Sequence, residues 1–454
     1  MNNNRLTLGF ATAVLLVAGV RSIDAEATNA PRAQVAQVIE ANKASLVALY
    51  KHWHAHPELS LQETQSAARL AQELEAAGFK VTRAVGTNGV VAVMRNGEGP
   101  TLLVRSDMDA LPVRELTKLP YASTATMTNR QGDLVPVMHA CGHDVHMACL
   151  VGTARVLSTL KQQWSGTLVL IGQPAEEIGS GAKAMLADGL FKRFPEPDYC
   201  LALHDDPELP AGTIGYTPGN AMASVDSVDI IVRGVGGHGA HPHKTKDPIV
   251  LAAQIVLALQ TIVSREVQPG QPAVVTVGSI HGGTKHNIIS EEVKLQLTIR
   301  SYSEEVRNQL LEAIRRIARG QALAAGVPED RFPEVSLVEE STRATYNTPE
   351  LAERVAGVIR SWLGDEKVVL KPASMGGEDF NEFGRTEKQI PICMFTLGGV
   401  DPGAYESAKR EGRSLPSLHS ALWAPLPEPT IVTGVTAMSA VVMDILSAKP
   451  TAAQ

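Results

Sequence analysis

The sequence predicts an α/β protein with a smaller α+β unit set into it, and three observations lead there. Short, nearly all-apolar runs such as Leu102–Arg105 and Thr167–Ile171 alternate with helical periodicity over the first part of the chain, as in a parallel sheet buried on both faces. After about Gly219 the texture turns to alternating strands and long helices in the order β-α-β-β-α-β, a ferredoxin-like split unit. The C-terminal part then returns to helix and apolar strand.

From Ala33 to Ala77 the spacing is helical, broken at His56-Pro57 because proline lacks the N–H that a helix interior needs. Gly78-Phe79 turns into a strand around Val81, and Val90–Arg95 and Leu102–Arg105 are further strands. Val145–Leu160 is an amphipathic helix, Thr167–Ile171 a buried strand, Ala182–Leu186 a helix, and Asp198–Leu203 a strand with His204 just beyond it. Asp107, Glu176, Glu177 and His204 thus fall at strand ends, where open α/β sheets bind ligands. In the second unit the strands are Ser224–Val232, Ala273–Ile280, Val293–Arg300 and Glu334–Glu339, with helices Pro248–Val263 and Glu304–Ala324. Leu351–Trp362 (helix), Val368–Leu370, Ile392–Leu397 (strands) and Ile431–Leu446 (helix) complete the first. The division expected is 28–220 and 338–454 for a two-part catalytic domain and 221–337 for the insert.

A chain of 454 residues suits two or three domains at about 150 residues each. Its net charge of −7, the absence of a long basic run and the 4% aromatic content argue against nucleic acid or an anionic membrane as partner. Residues 1–27 read as a secretory signal: Arg5, an apolar stretch from Leu6 to Val20, and Ala25-Glu26-Ala27 as the cleavage site. An uncleaved anchor is the alternative. No stable membrane span is expected after processing, and the expected address is outside the cytoplasm, most simply a bacterial periplasm. Cys149, Cys200 and Cys393 each sit in an apolar segment, so no structural disulfide is expected.

The chemistry concentrates in Cys141-Gly142-His143-Asp144, Glu176-Glu177, His204 and His419. Gly142 allows a sharp turn, so that Cys141 and His143 address one region, and the following helix N-terminus is expected to lower the Cys141 thiol pKa. His139 and His146 are nearby spares. Each residue alone has a bland alternative, a buried thiol or a capping imidazole. Together, thiolate, neutral imidazole and carboxylate are ligands for zinc, and the mixed set also tolerates manganese, cobalt or nickel, one or two ions per chain. Of two adjacent loop glutamates, one can hold metal while the other handles the proton of an attacking water.

The segments HAHPELSLQE (54–63), RSDMDALPVRE (105–115), MHACGHDVH (138–146), QPAEEIGSGAKAML (173–186), GVGGHGAHPH (234–243), GGTKHNIIS (282–290) and MGGEDF (375–380) resemble, in order, those of the M20 metallopeptidase family. The match is to its amidohydrolase branch, which includes N-acyl-amino-acid, hippurate and auxin-conjugate hydrolases. The resemblance implies a zinc-peptidase-like mixed-sheet catalytic domain with an inserted dimerisation or lid domain, and a homodimer or higher homo-oligomer. It implies Cys141, His143, Glu177, His204 and His419 as metal ligands and Glu176 as general base and acid. It also implies His238 as oxyanion stabiliser, reaching over from a partner subunit in several relatives, and Asn287 and Arg300 as the pair for the substrate carboxylate. Other branches carry His-x-Asp where this chain has Asp107-Met108-Asp109, so Asp107 is either a weak ligand or an acceptor behind one, and Asp109 orients a ligand. His52, His54 and His56 read as structural. The function expected is metal-dependent hydrolysis of N-acyl or aminoacyl amino acids or short peptides. A carboxypeptidase or dipeptidase of the same fold, and a non-catalytic periplasmic binding protein, are the alternatives.

Overall fold

The structure is a computed structural model describing residues 15–338 and 341–447, with side chains from Ala30 onward. Most of the expected export segment, and Glu339 at the end of one expected strand, lie outside what is described. The strands of the main sheet are β1 (Lys80–Val85), β2 (Gly89–Asn96), β3 (Thr101–Asp107), β4 (Gly166–Gln173), β5 (Tyr199–Pro210) and β6 (Ile214–Tyr216). The insert contributes β7 (Ser224–Arg233), β8 (Ala273–Gly282), β9 (Glu292–Ser301) and β10 (Glu334–Leu337). The chain then returns to the main sheet with β11 (Val368–Leu370) and β12 (Ile392–Val400).

The main sheet runs β1-β2-β4-β3-β5-β12-β6-β11. Its centre, β4-β3-β5-β12, is parallel, as the alternation of strand and helix implies. The pairs β1/β2, β2/β4 and β12/β6 are antiparallel, so the sheet as a whole is mixed. Successive side chains of one strand leave on opposite faces. Leu102, Val104, Leu168 and Leu170 therefore join the core under α1 (Leu15–Ala55), α2 (Thr64–Ala76) and α3 (His143–Thr159). Leu103, Val169 and Ile171 join the opposite core with Met185 of α4 (Gly181–Ala187) and with Phe380 and Phe383. All eight residues of β4 are buried, which is why this stretch reads as one apolar run.

The insert folds as a four-stranded antiparallel sheet, β8-β9-β7-β10, with α5 (Pro248–Thr261) and α6 (Glu304–Ala324) on one face. This strand order is that of a ferredoxin-like unit. Asp247 caps α5 by accepting from the Ile249 N–H, with Pro248 at the first helical position; Ser303 caps α6 by accepting from Val306. Helix Pro248–Glu266 is long and apolar enough to cross a membrane, with mean hydropathy 1.6, yet it packs Leu251, Ile255 and Leu259 into the insert's core. Helices α7 (Pro349–Leu363) and α8 (Pro427–Ile445) pack on the α1/α3 side of the main sheet. All four cysteines are free and buried, as expected.

One expectation needs correction. His204 lies inside β5, not past its end, because β12 stays in register beside it: Thr396 pairs with His204, Leu397 with Asp205 and Gly398 with Asp206.

Within the insert, Arg307 Nε and Nη2 donate to the two oxygens of the buried Asp226 carboxylate at 2.7 and 2.5 Å, pinning α6 to β7. Arg307→Met strands that carboxylate, and urea denaturation is expected to show a loss of about 3–5 kcal/mol. A loss under about 1 kcal/mol would contradict the reading of this pair as buried and tight.

Candidate metal centre

Three loops and one strand bring the metal-type side chains together at the C-terminal ends of the central strands. The first loop follows β3 and supplies Cys141 and His143 around Gly142, whose φ of +73° only glycine takes without strain. A Cβ there would stand 2.3 Å from the Asp205 carboxylate, so the turn and the contact both demand glycine. The second loop follows β4; Ala175 at φ +51° turns the backbone so that Glu176 and Glu177 face the cavity. The third carries His419, itself at φ +64°, with its N–H donated to the Ala140 carbonyl. Left-handed non-glycine residues cluster where the surrounding structure holds them for a task. His204 projects from β5.

The five expected ligands converge. Cys141 Sγ lies 3.6 Å from His204 Nε2 and 3.3 Å from His419 Nε2. Glu177 lies 3.5 Å from His419 Nε2 and 3.9 Å from His143 Nε2. Cys141, His143 and His204 form one group whose ligand atoms lie within 4.8 Å of one another, and Cys141, Glu177 and His419 form a second. Cys141 belongs to both groups, so its thiol stands at the centre of the residues that would hold a divalent metal. The donor set fits a divalent transition metal on an independent ground as well. Nε2 of His143 and Oε1 of Glu177 are buried without a hydrogen-bond partner among the described residues, a costly state that a cation would relieve.

Neighbours aim these ligands. The His204 Nδ1–H donates to the Asp205 carbonyl at 2.8 Å, which leaves Nε2 as the lone-pair nitrogen facing Cys141. Asp109 accepts from the backbone N–H groups of Glu176 and Glu177 at 3.1 and 3.0 Å and stands 3.4 Å from His143 Nδ1. It therefore holds the glutamate loop and the imidazole in one grip. Asp107 hydrogen-bonds His146 Nδ1 at 2.6 Å and lies 3.6 Å from His143 Nε2. The other nitrogen of His146 accepts from the Asp205 backbone N–H at 2.8 Å, so both of its ring atoms are engaged. His54 is locked between Asp144 and Glu115 at 2.6 and 3.0 Å, a structural use.

Arg105 is a functional residue that the sequence reading passed over. Fully buried in β3, it donates to Gln173, Asp107, Glu378 and Asp379. Its signal was present, since an arginine inside an apolar strand must have buried partners.

Burial is the largest single influence on how these side chains titrate. Burial, then the Glu177 charge, pushes the Cys141 thiol well above its ordinary value. The expected lowering by the helix N-terminus is overturned, because a dry, acid-lined pocket outweighs the dipole. Burial raises Glu177 to about 8. Burial opposes the charged form of His143, but Asp107 and Asp109 outweigh it and raise its pKa. His204 and His419 are lowered, by burial first, and stand neutral as ligands require.

Arg300 lines the same cavity of about 420 Å³ as Glu176, Glu177, His204 and Glu378, and its Nη1 donates to the Met375 carbonyl at 2.8 Å. His238 and Asn287 are not brought there within one chain. Both are exposed on an arm of the insert, side by side, where Gly239 N–H donates to the Asn287 carbonyl and His238 Nδ1 accepts from Ala240.

Because Cys141, His143 and Glu177 all hold a proton near pH 7, cation binding must expel protons, and affinity must rise with pH. Calorimetric titration of Zn²⁺ in two buffers of different ionisation enthalpy is expected to show release of about two to three protons per chain. Release near zero would contradict the protonation pattern.

Residues 103–419 match the model of peptidase family M20/M25/M40. An N-acetylcysteine deacetylase of Bacillus subtilis is 35% identical over 357 residues, which is 78% of this chain and 88% of that protein. A thermostable carboxypeptidase of Saccharolobus solfataricus is 37% identical over 357 residues, 78% of this chain and 85% of that one. Among solved structures, a dinuclear metal-binding peptidase of the M20 family from Bacillus subtilis superposes with a TM-score of 0.72 at 28% identity, over 90% of this chain and 99% of that one. With its fold and these relatives, the chain belongs to peptidase family M20/M25/M40 and is a metal-dependent, amide-cleaving hydrolase of the amidohydrolase type.

Proposed function

We propose that this protein is an exported amidohydrolase that cleaves N-acyl or aminoacyl amino acids, with Glu176 as the proton carrier. The observation that carries the reading is the second carboxylate. Glu176 lines the cavity beside Glu177, makes no side-chain hydrogen bond among the described residues and is 9% exposed. Metal retention alone does not call for it. Burial, then the charges of Glu378 and Glu177, raises its pKa well above the ordinary carboxyl value, the direction a proton shuttle near neutral pH needs.

A divalent cation held by Cys141, His143, Glu177, His204 and His419 would acidify a water and polarise the scissile carbonyl. Glu176 takes the proton from that water as the oxygen attacks, keeps it within the cavity, and delivers it to the departing amine nitrogen. Arg300 offers a planar fork for the carboxylate of the amino-acid portion. His238 and Asn287 would complete the site from a second copy. In support, the insert exposes the edge strand β8 with Ile280 and the outer face of α5 with Ile249, Val250 and Leu257, surface that a partner subunit would cover. Export rests on the apolar segment at the N-terminus. The N-acetylcysteine deacetylase favours an N-acyl amino acid as substrate; the carboxypeptidase keeps short peptides as the second reading.

Glu176→Gln is expected to retain metal but to lose about 10²–10⁴-fold in kcat on N-acetyl amino acids. Unchanged turnover with full metal content would remove Glu176 from its role. Arg300→Ala is expected to raise KM for substrates with a free carboxylate by tenfold or so while leaving the corresponding methyl esters far less affected, as a lost charge-assisted fork requires. Equal losses on acid and ester would place the carboxylate elsewhere.

A further inference from the structure

We infer that a second chamber opening off the metal cavity receives an apolar substituent of the substrate and sets which substituent the enzyme accepts. The inference rests on the amidohydrolase reading above and adds a subsite to it. The chamber has a volume of about 490 Å³, within the range of about 300–1,000 Å³ typical of small-ligand sites. His204, Met222 and Leu418 line both spaces, so the chamber borders the metal cavity, and a substrate spanning the two would pass beside these three side chains.

Its walls carry the carboxylates of Asp205, Asp206 and Glu208 against Lys371, which disfavours an anionic group, and leave an apolar face for an uncharged one. Tyr216, Ala221, Met222, Met394 and Leu418 supply apolar surface, and the two methionines have the torsional freedom to mould around different shapes. Tyr216 is fixed: Arg360 Nη2 donates to its hydroxyl at 2.6 Å and the Arg360 guanidinium lies 4.9 Å from the ring centroid. The cation on the wall, Lys371, is already held by Asp206 at 2.5 Å and Glu208 at 3.1 Å. It is therefore not a free anchor for a substrate carboxylate. In the adjoining cavity the reverse holds: Arg300 has no carboxylate partner among the described residues and donates to a backbone carbonyl. The two spaces divide the substrate, with the charged end at Arg300 and an apolar group in the chamber. That group is either the acyl chain or the amino-acid side chain, since both flank the scissile amide.

The test narrows the chamber from a wall outside the metal cavity. Ala373 is half-buried on that wall, and Thr217 is a second such position. Zn²⁺-loaded wild type, Ala373→Trp and Thr217→Phe would be assayed on two series. One varies the acyl group on alanine through acetyl, butanoyl, hexanoyl and benzoyl; the other varies the amino acid of N-acetyl substrates through glycine, alanine, leucine and phenylalanine. Kd values for acetyl- and hexanoyl-hydroxamate would be measured alongside, which needs no turnover. Wild type is expected to favour larger apolar groups in one series, and either variant to cut that preference in kcat/KM tenfold or more, in line with the about 10–200-fold that one methylene can be worth in an apolar pocket. Response of the acyl series assigns the chamber to the acyl chain, and response of the other assigns it to the side chain. Variants that keep wild-type metal content and thermal midpoint, yet leave both preferences and the hydroxamate Kd ratio unchanged, would overturn the chamber's role. Failure of wild type to cleave any member would instead overturn the amidohydrolase reading, and the hydroxamate ratios together with Kd values of the uncleaved N-acetyl amino acids would then decide the chamber.

Discussion

The site is governed by an excess of buried negative charge. Asp107, Asp109, Glu176, Asp205, Glu378 and Asp379 are buried around it, and the Glu177 side chain is 7% exposed. Arg105 is the one buried guanidinium among the described residues that meets them. Each unpaired carboxylate taken out of water costs several kcal/mol, so the cluster must either take up protons or hold cations. The raised pKa values are its answer without metal: Glu177 moves to about 8 and Asp379 to about 7, burial being the largest cause in both. A divalent cation is the other answer, and the orphaned atoms of His143 and Glu177 mark where it belongs.

The fold concentrates this charge by a simple rule. Four parallel strands end on the same side of the sheet, and the loops that follow them are forced to meet there. Two of those loops are then tied together by one residue, since Asp109 accepts from the Glu176 and Glu177 backbone and faces His143. Arg105 ties the ends of β3 and β4 to the Glu378-Asp379 segment in the same way. The ligands are therefore set by partners that never touch a substrate. This arrangement explains why the burial of so much polar chemistry does not loosen the core.

Much of this was legible in the residues. Apolar runs gave the central strands, and the helices expected from Pro248 and from Glu304 begin at those residues. Strand-end placement pointed to Glu177 and His204, whereas Cys141, His143 and His419 joined them through their ligand chemistry and the family resemblance. Three features were not legible, each for a physical reason. Periodicity records which face is buried but not the direction of the neighbouring strand, so the antiparallel pairings of β1, β2 and β6 were invisible. A strand read from apolarity stops at its first polar residue, whereas β5 continues through His204 and Asp205 because β12 supplies hydrogen bonds there. The sign of the Cys141 shift depends on how dry and acidic its pocket is, which only the assembled loops reveal. His238 and Asn287 are a different case: sequence order places them in one arm, and a single chain does not carry that arm to the cavity.

The central claim is that this acidic, half-satisfied pocket is a metal centre. Anomalous diffraction from crystals of the Mn²⁺- or Zn²⁺-loaded protein, recorded on both sides of the metal's absorption edge, addresses it most directly. The account predicts one or two peaks bonded to Cys141 Sγ, about 2.3 Å away for zinc, with His143, Glu177, His204 and His419 completing the shells. Peaks confined to other residues, or a loaded crystal with none in this pocket, would contradict it.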